Sequence, residues 1–272
     1  MEGQIIKIIS NDYFVKTNNN EYICKARGKF RQENITPKVG DFCLFDEKEK
    51  VIKEIKPRIN TLSRPLVSNI NQAFIVTSLK NPDFSSNLLD KLICICILNN
   101  IEPIICLTKK DLLTKFEYKD LKKIINYYKK LGIKVVYNNN INKIKKLLKH
   151  KTTVFTGQTG AGKSSLMNKL DKSLNFETNE ISKALGRGKH TTRTVSLVEI
   201  NNGKVLDTPG FSDIDLSVYK KEDIRDSFKE FKNKCKYTNC MHINEKECVV
   251  KELVNKNIIL KSRYENYIKF IK

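Results

Sequence analysis

The chain has 272 residues, 40% of them hydrophobic and 30% charged, enough for one large domain or two to three small ones. No stretch approaches the ~18 consecutive apolar residues needed to cross a bilayer, and the opening MEGQIIKIISNDYF lacks the regions of a secretory signal, so a cytoplasmic protein without a membrane partner is expected. A formal net charge of +21 exceeds what solubility needs and attracts polyanions, which puts RNA or DNA first among macromolecular partners even in so Lys- and Asn-rich a composition.

Residues 1–62 read as five short strands, Ile5–Ile9, Tyr13–Lys16, Tyr22–Ala26, Asp41–Phe45 and Val51–Ile55, separated by Asn-rich or Gly/Pro-containing turns. That density of strands predicts a small β-barrel of the OB or SH3-like kind. The turn Arg27-Gly28-Lys29-Phe30-Arg31 groups cations with an aromatic ring, which fits either an RNA-contacting loop or a solvated turn.

From about residue 64 strands and helices alternate: strand Ala73–Leu79, helix Asn87–Leu98, strand Pro103–Leu107, helix Tyr118–Leu131, strand Lys134–Tyr137, helix Ile141–His150 and strand Thr152–Thr156. This rhythm predicts a parallel sheet with helices on both faces. Thr194–Ile200 and Lys204–Leu206 read as a hairpin across Asn202-Gly203. Beyond residue 215 the spacing is helical, over 220–232 and 249–271. Cys24, Cys43, Cys94, Cys96 and Cys106 sit in apolar runs and are expected to be small, reduced core residues.

The strand Thr152–Thr156 runs into Gly157-Gln158-Thr159-Gly160-Ala161-Gly162-Lys163-Ser164, which satisfies GxxxxGK[ST] and is followed by a helix over Ser164–Leu170, with Ser165 in its first turn. The glycines let backbone N–H groups turn toward a phosphate, and the helix N-terminus adds partial positive charge. Lys163 is expected on the β- and γ-phosphates and the Ser164 hydroxyl on Mg²⁺.

Asp207-Thr208-Pro209-Gly210 follows the strand Lys204–Leu206 and reads as a switch motif. Asp207 would hold Mg²⁺ through water, and the Gly210 N–H would sense the γ-phosphate. Thr108-Lys109-Lys110-Asp111 ends the strand Pro103–Leu107 and is similar to the guanine-reading NKxD, with Thr108 where that motif has Asn. A carboxylate at Asp111 accepts from guanine N1–H and its exocyclic amine, a pair adenine lacks. Lys109 would lay its stem across the base and brace the phosphate loop. The order is rotated: base motif, phosphate loop, switch.

Ras-like proteins place a water-orienting Gln after the switch glycine, and here Phe211 stands there, so unassisted turnover is expected to be slow. The loop Gly186-Arg187-Gly188-Lys189-His190-Thr191-Thr192-Arg193 supplies Thr191 or Thr192 for the Mg²⁺ shell, Thr192 being the preferred ligand. His190 is the candidate to orient or deprotonate the attacking water, or else a residue that contacts a partner.

Cys235, Cys240, His242 and Cys248 form C-x4-C-x-H-x5-C, a donor set suited to one structural, tetrahedral Zn²⁺. Lys232, Lys234, Lys236 and Lys246 make this segment basic, as RNA contact would require.

Together these elements resemble the ribosome small subunit-dependent GTPase A family, the circularly permuted GTPases of bacteria. The resemblance spans nearly the whole chain, through RGKFR at 27–31, PKVGD at 37–41, PRINTLSRP at 57–65, TKKD, GQTGAGKSS, GRGKHTTR, DTPGF and the Cys/His spacing. It implies an OB-fold RNA-binding domain at 1–62, a permuted α/β G domain at 63–215 and a zinc-binding helical domain at 216–272. It also implies a monomer that hydrolyses GTP to GDP, stimulated by the 30S subunit during late maturation of that subunit and its 16S rRNA. The second reading is an rRNA-binding assembly factor that binds nucleotide but scarcely hydrolyses it. The third is an ATPase. The Ser-Ala base-supporting motif usual after the strand Lys134–Tyr137 is replaced by Asn138-Asn139.

Overall fold

A computed structural model of the chain describes residues 1–62, 66–171, 195–207, 215–232 and 235–272, apart from the side chains of Arg31 and Asp207. In two of the N-terminal strands burial alternates residue by residue. β3 (Glu21–Ala26) buries Tyr22 and Cys24 while Glu21, Ile23 and Lys25 face solvent. β1 (Glu2–Ile9) pairs antiparallel with β2 (Asp12–Lys16) and with β4 (Phe42–Asp46). β3 pairs with β2 and runs parallel to β5 (Val51–Ile55), which returns to β4. The five strands close around Ile5, Val15, Cys24, Cys43, Phe45 and Ile52. The basic turn is a single helical turn, α1 (Lys29–Gln32), and Phe30 is only 3% exposed in the barrel core. The ring that could have stacked on a base is therefore spent on packing, while Arg27 and Lys29 stay exposed.

Asp41 ties the barrel to the next stretch of chain. It is fully buried, and Arg58 Nε and Nη2 donate to its two carboxylate oxygens at 2.7 Å, with Ser68 Oγ donating at 2.6 Å. A small hairpin, β6 (Thr61–Leu62) and β7 (Val67–Ser68), leads into β8 (Gln72–Ser78), every residue of which is buried, as a central parallel strand requires. β9 (Glu102–Thr108), β10 (Lys134–Tyr137), β11 (Thr152–Gly157), β12 (Ser196–Ile200) and β13 (Gly203–Asp207) complete the sheet in the order β10-β9-β8-β11-β13-β12. All neighbours are parallel except the β12–β13 hairpin. One face is covered by α2 (Ser86–Leu98) and α3 (Lys115–Lys130), the other by α4 (Ile141–Leu148) and α5 (Lys163–Leu170).

The barrel and this sheet are continuous. β12 pairs with β1 at Ser196↔Lys7, giving one sheet of 11 strands. Lys16 and Glu199 form an ion pair at 2.9 Å across the junction, and Lys204 Nζ donates to Gln4 Oε1.

The C-terminal segment is helical but more broken than its periodicity predicts. α6 (Lys221–Ser227) gives way to a 3-10 turn at Lys229–Phe231, and 249–271 divides into α7 (Val249–Asn255) and α8 (Lys261–Phe270). Asn257 lies at φ 56°, a left-handed conformation that Asn tolerates, and so it stops α7. α8 packs on α2 through a buried polar cluster. Asp90 accepts from Arg263 Nη1 at 2.5 Å, Tyr128 Oη at 2.6 Å and Asn266 Nδ2 at 2.7 Å. Arg263 Nε also donates to Glu230, and the guanidinium lies 4.6 Å from the Phe228 ring centroid.

Candidate functional site

Parallel strands deliver their carboxyl ends to one edge of the sheet, where doubly wound folds hold ligands. Here that edge gathers Thr108 from β9, Gly157 from β11 and Asp207 from β13, with β8 between the first two. Leu206 pairs with Val154, so the backbone of Asp207 lies beside the last stretch of strand before the glycine loop.

The loop from Gly157 to Gly162 has the backbone its glycines permit. Gly157 sits at φ +134°, and a Cβ there would lie 2.1 Å from the Val76 carbonyl oxygen, so no larger residue fits. Gly162 at φ +92° caps α5, whose first residues Lys163, Ser164 and Ser165 leave N–H groups unbonded within the helix. Ala161 is buried, while Thr159 and Gly160 are exposed and Gln158 is half-buried. Lys163 Nζ donates to the carbonyls of Gly157 and Gln158, each at 2.8 Å. Burial depresses its ammonium below the usual lysine range. An anion in the loop would relieve that depression and suits the cradle of N–H groups around it.

The base-motif turn is pinned onto this loop. Thr108 is buried, and its Oγ1 donates to the Ala161 carbonyl at 2.7 Å. That contact to the phosphate loop belongs to Thr108, whereas Lys109 Nζ reaches the Asn81 carbonyl in the segment after β8. Lys109 is left-handed at φ 56° and turns the chain into a 3-10 segment, Lys110–Leu112. The Asp111 carboxylate is exposed and makes no hydrogen bond or ion pair among the described residues. Next comes a capping box in which Thr114 and Glu117 bond reciprocally and start α3. Lys80 holds Glu117 at 2.8 Å, and these contacts keep the Glu117 carboxyl at about 2.

His190, Thr191, Thr192, Arg187, Arg193, Gly210 and Phe211 lie outside the described residues, so the hydrolytic and switch assignments rest on sequence. The five scattered cysteines are all buried, and burial raises their thiols; Cys106 is pushed up to about 12.

Cys235, Cys240, His242 and Cys248 converge, with all ligand atoms within 4.8 Å of one another. Cys240 Sγ lies 3.8 Å from Cys248 Sγ, and His242 Nδ1 lies 3.3 Å from Cys248 Sγ and 3.7 Å from Cys235 Sγ. A tetrahedron with Zn–S bonds of ~2.3 Å has edges of ~3.8 Å, shorter where a Zn–N bond replaces one. The donor chemistry and spacing are thus compatible with zinc. An outer layer fixes the loop: Glu245 accepts from the N–H groups of Met241 at 2.6 Å and Ile243 at 2.8 Å. Tyr264 and Tyr267 donate to the carbonyls of His242 and Met241.

Sequence reading missed the tether at Thr108, the part played by Asn81 and Lys80, and the Asp90–Arg263 cluster. Only the Thr114-x-x-Glu117 cap has a local signature.

The family model described as RsgA GTPase matches residues 55–217, and the RsgA N-terminal domain model matches residues 2–51. The chain is 45% identical over 281 aligned residues to the small ribosomal subunit biogenesis GTPase RsgA 2 of Oceanobacillus iheyensis, covering 99% of this chain and 96% of that protein. It is 46% identical over 277 aligned residues to the small ribosomal subunit biogenesis GTPase RsgA of Clostridium novyi, with the same two coverages. Among solved structures it resembles YloQ, a circularly permuted GTPase, with a TM-score of 0.84 and 33% identity over 99% of this chain and 93% of that one. It resembles YjeQ from Thermotoga maritima with a TM-score of 0.85 and 31% identity over 99% and 96% of the two chains.

Proposed function

The chain belongs to the RsgA GTPase family, and on that footing we propose that it hydrolyses GTP to GDP and phosphate in response to the small ribosomal subunit, during the maturation of that subunit and its 16S rRNA. One observation supports the nucleotide part of this reading best. The phosphate loop and the base-motif turn share one sheet edge and are joined by the Thr108–Ala161 hydrogen bond, so one nucleotide can be gripped at both ends.

In this reading Asp111 accepts from the guanine base. The loop Gly157–Gly162 and the N–H groups of Lys163, Ser164 and Ser165 hold the phosphates, and Lys163 exchanges two carbonyl partners for β- and γ-oxygens. Magnesium, held by the Ser164 and Thr192 hydroxyls and by Asp207 through water, would neutralise charge on those oxygens. Water attacks the γ-phosphorus as the bond to the bridging oxygen breaks, with the charge passing to GDP. His190 is assigned to orient that water, and Thr191 and Gly210 to the γ-phosphate shell. Zinc on Cys235, Cys240, His242 and Cys248 would be structural, since four protein ligands leave no open position.

We assign residues 1–62 to an OB-type RNA-binding domain, 63–215 to the G domain and 216–272 to the zinc domain, in a cytoplasmic monomer. No described helix is long and apolar enough to cross a membrane. Phe211 supports the second reading, an rRNA-binding factor with weak hydrolysis. Phosphate release measured with and without purified 30S subunits separates the two. Stimulation is expected; its absence would leave the assembly-factor reading standing.

A further inference from the structure

Lys110 stands in the base motif between Lys109 and Asp111 with no contact of its own yet ascribed to it, and its surroundings are specific. Lys110 Nζ lies 4.4 Å from the centroid of the Tyr118 ring and 5.2 Å from that of the Tyr137 ring. The two phenol oxygens are 2.9 Å apart and hydrogen-bonded to each other. The ammonium therefore sits in a two-ring cage, closed by that bond, with the negative ring faces toward the cation. Tyr118 belongs to the first turn of α3, and Tyr137 is the last residue of β10.

The cage joins three elements at the base end of the site. β10 pairs with β9 at Tyr137↔Leu107, one residue before the base motif begins. Asn138 and Asn139 follow Tyr137 directly, and the Asn138 N–H donates to the Leu107 carbonyl beside the base motif. In a 3-10 turn successive side chains are about 120° apart, so fixing the direction of one fixes that of the next. Asp111 has no partner of its own among the described residues to hold its carboxylate.

We propose that Lys110, clamped between Tyr118 and Tyr137, is a positioning residue for guanine selectivity, setting the rotation of the Lys110–Leu112 turn so that Asp111 presents its carboxylate to the base. The inference rests on the GTPase reading of the site. It makes base selectivity depend on Lys110, Tyr118 and Tyr137 as well as on the acceptor at Asp111.

The test compares GDP, IDP and ADP binding to the full chain and to Lys110→Met, Lys110→Arg and Tyr137→Phe, by equilibrium titration. IDP lacks the exocyclic amine, so the ratio of GDP to IDP affinity reports how well Asp111 is aimed. Lys110→Met is expected to weaken GDP binding about three- to tenfold, the scale of an exposed or half-desolvated cation–π contact. It should narrow the GDP-to-IDP ratio by a similar factor. Lys110→Arg, which can still lie over the rings, should keep the ratio. Tyr137→Phe, which breaks the hydroxyl bond but keeps the ring, should fall between. An unchanged ratio in Lys110→Met overturns the proposal. So does an equal loss for GDP and IDP, which would mark a general loosening of the pocket. If the unaltered chain fails to prefer GDP to ADP, the guanine reading itself fails, a result independent of the variants.

Discussion

Thr108 Oγ1 and the Ala161 carbonyl oxygen are 2.7 Å apart and hydrogen-bonded, although 53 residues separate them in the chain. This bond ties the Thr108–Asp111 turn to the glycine loop, and so sets the distance between the proposed base and phosphate sites. It also gives Thr108 a purpose that a comparison with NKxD alone hides: its short hydroxyl reaches the loop backbone.

Thr108→Val keeps the shape and removes the donor. The buried Ala161 carbonyl is then left unpaired, at a cost of about 1–3 kcal/mol. GDP affinity measured by equilibrium titration is expected to fall about tenfold, in both base and phosphate interactions. An affinity within about twofold of the unaltered protein would mean that the two loops hold their positions independently.

Asp111→Asn replaces an acceptor of two hydrogen bonds by a group that can accept one and donate one. Two charge-assisted bonds are at stake, so GDP binding should weaken about a hundredfold, while xanthosine diphosphate gains. Competition between the two nucleotides reads this directly. If GDP, xanthosine diphosphate and ADP all bind as before, Asp111 does not face the base.

How much of the site is legible in the chain depends on how local each signal is. The glycine loop, the TKKD turn and the Cys/His spacing are each contiguous patterns, and the structure brings the loop and the turn to one edge of the sheet. The five barrel strands announce themselves as short runs separated by Asn-rich or Gly/Pro-containing turns. The features that are not legible join distant residues. Nothing near Asp90 announces Arg263, 173 residues on, because a buried ion pair has no spacing rule. Phe30 reads as a surface aromatic among cations; Gly28 and Lys29 before it are exposed, but the barrel interior lies beneath it. The pairing of β1 with β12 depends on two strand edges meeting, which neither strand encodes alone.

Arg263→Met tests the buried cluster. Asp90 is wholly buried and Glu230 nearly so, and burial raises the Asp90 carboxyl against the pull of Arg263, Tyr128 and Asn266. Removing the cation leaves two carboxylates without it, which typically costs about 3–5 kcal/mol. Urea unfolding should show a loss of that order. A loss below about 1 kcal/mol would indicate that solvent reaches the cluster when the guanidinium is gone.

Cys240→Ser should abolish stoichiometric zinc in elemental analysis of the purified protein and lower the midpoint of thermal unfolding. Removing zinc from the unaltered chain with a strong chelator should give the same shift, because ligand binding to the folded state alone is linked to its stability. Full retention of zinc in the variant would exclude Cys240 from the ligand set.

The junction of β1 with β12 has a consequence for how the chain is made. Synthesis delivers the barrel first, and domains generally fold as they emerge. The strand that completes the sheet against it lies near residue 200, after the glycine loop has left the ribosome. A finished barrel edge is then already waiting when β12 arrives, and covers an edge that would otherwise be free to pair with another nascent chain.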